Sequence, residues 1–157
     1  MRRKDREVTD IRDIHAIIDA SDCCRVAFSE ADGPYIVPLN FGFVPGGEQG
    51  CVFYFHGAKE GKKAELMAGG ARVGFELDTR HELIQGNTAC DYAYRFQSVV
   101  GKGLASAVDD PAEKRNALIC IMRHYSSRND FAFTDAQVAA VGVFKLIVTE
   151  MTGKEHP

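Results

Sequence analysis

Ile11, Ile14, Ile17 and Ile18 recur at the three- and four-residue spacing of one helix face, behind Thr9 and Asp10, either of which can cap. A short amphipathic helix is therefore expected after a charged N-terminal arm. The period then changes. Residues 23–30 and 34–44 are extended runs rich in β-branched and aromatic side chains, joined by the turn Ala31-Asp32-Gly33-Pro34, and they predict a hairpin. Residues 45–50 are dense in turn formers and lead into a third strand over 51–57. Residues 58–70 hold helix formers, an apolar face at Leu66 and Met67, and a Gly69-Gly70 stop, which predicts a short helix before a fourth strand over 71–78.

A long strand is expected from about 91 to 108, with Gly101 and Gly103 marking bulges or points where another backbone approaches closely. Pro111 at a first helical position opens the clearest helix, whose stripe is Ala117, Leu118, Ile121 and Met122 and whose end falls near Tyr125. Thr134 and Asp135 cap one more helical turn after Phe131 and Phe133, and residues 141–154 form the last strand. Six strands without regular βαβ alternation predict a mainly β chain with short helices, folded as an antiparallel barrel. A length of 157 residues suits one domain over 1–157, and 45% apolar residues supply enough buriable surface to order it.

Charge narrows the partners. At a net charge of -3 there is no global positive field to gather phosphate backbones, which argues against nucleic acid. No run approaches the roughly 20 apolar residues of a membrane helix, and the charged start has no apolar stretch behind it, so a cytoplasmic protein with no membrane partner is expected. The five cysteines lack Cys-x-x-Cys spacing and read as reduced thiols; adjacent Cys23 and Cys24 point to opposite faces of a strand. The histidines show no metal-ligand spacing, so no metal site is expected. Neither a Gly-x-Ser-x-Gly elbow nor a phosphate-binding Gly-x-x-x-x-Gly-Lys-Ser/Thr loop is present. Gly101-Lys102-Gly103 begins a dinucleotide fingerprint but lacks its third glycine.

Three stretches carry chemistry. Gly61 with Lys62 and Lys63 at a helix start combines free backbone donors with two cations, a seat for a phosphate, although Glu60 and Glu65 also suit an ordinary solvated face. In Val37-Pro38-Leu39-Asn40-Phe41, Pro38 has no N–H, so the strand is interrupted there or lies at an edge. His56 stands at a strand end beside Gly57, where its near-neutral ring can serve as a proton donor. On the long strand Arg95 and Gln97 share a face while Ser98 takes the other.

Taken in order, the Pro-Leu-Asn-Phe strand, the Phe-His-Gly strand end, Gly-Lys-Lys, Ser-Val-Val and the terminal Thr-Gly-Lys resemble the FMN-binding split barrels of the pyridoxamine 5'-phosphate oxidase-like superfamily. The chain is most similar to its 5-nitroimidazole-resistance, or nitroreductase-like, branch, over about residues 2–154. The resemblance implies a six-stranded split barrel. It also implies FMN lying against Val37, Pro38, Leu39, Asn40 and Phe41, with Phe55, His56, Lys62, Lys63, Ser98 and Arg95 as further contacts. His56 is the implied catalytic residue, and the implied activity is FMN-dependent reduction of a small aromatic substrate. The implied assembly is a homodimer with both chains touching each flavin, and the aromatics Phe41, Phe53, Tyr54, Phe55, Tyr92, Tyr94 and Phe96 exceed what one small barrel readily holds. A flavin-storage module without turnover, a haem-binding split barrel using His56 or another histidine, and deazaflavin in place of FMN remain open alternatives.

Overall fold

A computed structural model describes residues 3–47 and 50–157. The strands are β1 (Glu7–Val8), β2 (Cys24–Glu30), β3 (Gly33–Leu39), β4 (Phe41–Gly47), β5 (Gly50–Gly57), β6 (Arg72–Ile84), β7 (Ala93–Ala107) and β8 (Gly142–His156). The helices are α1 (Ile11–Ala20), α2 (Lys62–Ala68), α3 (Pro111–Tyr125) and α4 (Asp135–Ala140), with short 3-10 turns at Lys4–Arg6 and Ala89–Asp91. Residues 1 and 2 of the charged arm, and residues 48 and 49 in the expected turn, lie outside the described residues.

Every strand pairing is antiparallel, in the order β3-β2-β6-β7-β8-β5-β4, with β1 added to β8. The two edges, β3 and β4, are consecutive in the chain and meet through Asn40, so the ring is completed there by the covalent chain rather than by a ladder. This is the split of a split barrel. Eight strands stand where the pattern gives six, because the single run over 34–44 divides at Asn40 and because Glu7–Val8 pairs with Gly153 and Lys154.

Local chemistry accounts for the elements. Asp10, rather than Thr9, caps α1 by accepting the Arg12 N–H at 2.9 Å, and Asp110 caps α3 through the Glu113 N–H at 2.7 Å. Thr134 and Gln137 form a reciprocal capping box on α4. Along β7 the inward positions Val99, Gly101, Gly103 and Ala105 are buried and alternate with outward ones. Gly101 and Gly103 meet both expectations. A register shift separates Lys102 from Gly103, and a β-carbon at Gly101 would collide with the Phe75 ring and the Glu150 carbonyl.

Phe53 centres the core, its ring 4.9 Å from Phe43, 5.1 Å from Phe75 and 5.5 Å from Phe41. Phe41, Phe53 and Phe55 are all wholly enclosed, and of the aromatics expected to exceed the barrel's interior it is Tyr92 and Tyr94 that stay half exposed. Met122 is corrected. Ala117, Leu118 and Ile121 face the sheet, whereas Met122 turns to the helix margin and stays 38% exposed. The fourth strand runs past Asp78 to Ile84 through a register shift between Thr79 and Glu82, where Arg80 takes φ 55°. Residues 80–95 are mostly exposed and form a two-stranded arm beyond the barrel.

α3 is tied to the sheet by one carboxylate: Glu113 Oε1 accepts from the Tyr54 hydroxyl at 3.1 Å and from Lys145 Nζ at 2.8 Å. Burial, reinforced by the Glu113 charge, pushes the Tyr54 hydroxyl up to about 12. The fold thus favours the neutral phenol, a contribution complete below the unfolded value of about 10 and lost as pH rises through about 12. Titration at 295 nm should show a tyrosine step near 12 that Tyr54→Phe removes, together with a flatter loss of stability above pH 10.

Candidate functional site

Among the described residues no buried side-chain nitrogen or oxygen lacks a partner, so unspent polar capacity lies at the surface. The histidines show where. His15 lies 3.6 Å from Cys51 Sγ, His81 pairs with Asp78 at 3.1 Å, His124 Nε2 donates to the Ser21 carbonyl at 2.7 Å, and His156 Nδ1 donates to the Tyr94 carbonyl at 2.8 Å. His56 alone of the five has no such partner among the described residues. It is exposed near the end of β5, opposite Val143 of β8.

His56 lines a groove of about 360 Å³ between α3 and α4. Leu118, Ile121, Met122, Phe133 and Val141 give it apolar walls, and Gln137 lies at its margin. A larger cleft of about 540 Å³ lies between α1, β4 and α3, but two of its polar groups are already engaged: His124 on Ser21, and the Cys120 thiol 3.7 Å from the Phe43 carbonyl. Burial also pushes the Cys120 thiol up, away from the reactive thiolate. The smaller groove therefore offers the better chemistry, one unpaired imidazole facing an apolar pocket.

The break at Asn40 lies just beyond the last β4–β5 pair: Phe41 pairs with Phe55, and the residues that follow this pair are Asn40 and His56. β3 pairs only with β2, which leaves its outer edge with main-chain groups free of any neighbouring strand. On this edge strand Pro38 and Asn40 are exposed, Val37 is half-buried and Leu39 is buried. Phe41 and Phe55 offer a ligand main chain only, since both rings belong to the core.

The two lysines diverge. Lys62 Nζ pairs with Glu30 at 2.7 Å and lies 4.6 Å above the Tyr35 ring, whereas Lys63 Nζ rests against Gly57, where a β-carbon would collide with it. Lys63 is thus at the end of β5, on the face opposite the His56 side chain, and Lys62 is at the β2–β3 hairpin. Asn40 is five steps along the chain from Tyr35, roughly 17 Å if extended, so a ligand touching Lys62 and Asn40 together must be elongated and lie along the open edge. Arg95 is not gathered here. It sits on the arm, paired with Glu82 at 3.0 Å, while Ser98 lies between Asp78 of β6 and Lys154 of β8.

Tyr125 is a site residue that sequence reasoning passed over. Its hydroxyl accepts the Phe41 N–H at 3.1 Å and donates to the Asp22 carbonyl at 2.8 Å, contacts that only the folded chain brings together.

Comparison with known proteins places this geometry. The pyridoxamine 5'-phosphate oxidase family profile matches residues 10–155. A candidate 5-nitroimidazole antibiotic resistance protein of Bacteroides thetaiotaomicron is 34% identical, over 95% of this chain and 86% of that one, with a TM-score of 0.80. Two others share the fold. A FAD and heme binding protein of Mycobacterium smegmatis has a TM-score of 0.83 at 17% identity, over 96% of this chain and 73% of that one. A flavocytochrome of Azotobacter vinelandii has 0.80 at 19%, over 100% and 72%. No curated protein matches the chain. With its barrel split at Asn40 and a family match across nearly its whole length, the chain belongs to the pyridoxamine 5'-phosphate oxidase family.

Proposed function

We propose that the protein is a flavin-dependent oxidoreductase, using FMN, that passes electrons from a reduced nicotinamide to a small aromatic substrate of the nitroimidazole kind. The observation that carries this reading is His56, without a partner among the described residues, lining an apolar groove next to the last strand pair before the break at Asn40. When bound, the flavin supplies the electron transfer. The chain's own residues do the rest. The open β3 edge at Val37, Pro38, Leu39 and Asn40 offers main-chain donors and acceptors to a heterocycle edge, and Lys63 and Lys62 offer cations to a phosphate. Leu118, Met122 and Phe133 shield an aromatic ring from water, and His56 holds a proton at a ring nitrogen within reach of the groove.

The same reading makes the protein a cytoplasmic homodimer. Ile36 and Val100 are more than half exposed on the outer sheet face, and Leu83, Tyr92 and Tyr94 are about as exposed on the arm. A two-stranded ribbon open on both faces is marginal in water and gains from a second surface. Among the described residues no helix is long and apolar enough to cross a membrane.

The test is an absorption spectrum of the purified protein, followed through dilution in the ultracentrifuge. A flavin band near ~450 nm that is released as a dimer dissociates is the expected result. An intense Soret band would make the bound group haem, with His56 or another histidine as the candidate iron ligand, and a colourless protein would end the flavin reading.

A further inference from the structure

We infer that Tyr125 is a positioning residue, which sets the Asn40 peptide at the split for contact with the flavin ring; this rests on the flavin reading above. Asn40 is the one residue between β3 and β4, and it belongs to neither ladder. Before it stands Pro38, which has no N–H, on an edge strand paired on one side only. After it stands Phe41, whose N–H is accepted by the Tyr125 hydroxyl at 3.1 Å. The same hydroxyl donates to the Asp22 carbonyl at 2.8 Å, so its single proton is committed and its oxygen is oriented toward Phe41. Burial pushes the Tyr125 hydroxyl up, and hydrogen bonds from the Asn40 side chain and the Phe41 N–H act in the opposite direction.

The mount is itself held. His124, the preceding residue, donates to the Ser21 carbonyl at 2.7 Å and packs its ring 4.2 Å from the Phe41 ring. The last turn of α3 thereby fastens the α1–β2 connection to the first residue of β4. A phenylalanine at 125 would keep the ring packing and remove only the oxygen that fixes the peptide on the C-terminal side of Asn40.

The experiment is a double-mutant cycle on the whole protein with FMN as probe, using Tyr125→Phe, Asn40→Ala and the double variant. Binding is measured by fluorescence quenching, and the bound flavin's absorption fine structure is recorded. Tyr125→Phe is expected to weaken FMN about tenfold and to blur the fine structure toward that of free flavin. Because Asn40→Ala leaves that peptide in place, Tyr125→Phe should cost about as much in the Asn40→Ala background as in the wild-type chain. A merely structural tyrosine would lower Tm and leave the spectrum unchanged. Unchanged affinity and spectrum in Tyr125→Phe, or a Tyr125→Phe loss that vanishes in the Asn40→Ala background and so runs through the Asn40 side chain, overturn the positioning role alone. A wild-type protein that holds no FMN overturns the functional reading, and this role with it.

Discussion

Replacing His56 with alanine should lower turnover of a nitroaromatic acceptor by about 10²–10⁴-fold while flavin content stays near that of the wild-type protein. The ring is exposed and makes no hydrogen bond or ion pair among the described residues, so its removal breaks nothing that holds the barrel. Lys63→Ala should behave in the opposite way, weakening FMN about 10- to 100-fold, the loss of one charge-assisted contact to phosphate, with little change in the rate of the loaded protein. The contrast separates a proton-handling residue from an anchoring one. Steady-state kinetics at saturating flavin, beside a flavin titration, reads both. A His56→Ala protein with undiminished turnover would exclude His56 from the chemistry, and parallel loss of rate and flavin would make it a binding residue.

Phe53→Ala is expected to be the most damaging core substitution, at about 3–5 kcal/mol. Phe53 is wholly enclosed, and its ring contacts Phe41 and Phe43 of β4 and Phe75 of β6. Strand backbones on both sides of it are paired, with Phe43 on β4 and Leu146 on β8, so the sheet has little freedom to collapse into the cavity. Urea unfolding should show the loss at nearly unchanged slope, and Tm should fall by roughly 6–20 °C for a domain of this size. A cost below about 1 kcal/mol would mean that the aromatic cluster repacks around the gap.

Much of the fold is legible in the chain because its signals are local. Asp110 before Pro111, Thr134 before Gln137 and the helical spacing of Ile14, Ile17 and Ile18 each settle an element within a few residues. The arm is not legible in this way. Residues 79–84, Thr-Arg-His-Glu-Leu-Ile, lie beyond the barrel, and with no interior to face they carry no alternation that would mark them as strand. The site divides on the same line. His56 and the Lys62–Lys63 pair are visible as a strand end and a helix start, and Pro38 marks the edge at which the barrel splits. That Lys62 is engaged by Glu30, that the other four histidines are spent, and that Tyr125 reaches Phe41 across 84 residues depend on the closed barrel. So does the groove, whose walls come from positions 118–141 while its imidazole comes from β5.

The place of β8 in the sheet bears on how the protein is made. β8 lies between β7 and β5 and also carries β1, so the N-terminal strand, the fifth strand and the long seventh strand all wait for residues 142–156. During synthesis the β2–β3 hairpin and the β6–β7 ribbon can pair as soon as they emerge, since their partners are near in sequence. The β4–β5 pair, by contrast, has no seat until the last strand is free of the ribosome. The nascent chain therefore exposes Phe53, Phe55 and Phe75 until residues 142–156 have emerged, and closure comes as one long-range event. Chaperone demand during synthesis should concentrate in that interval.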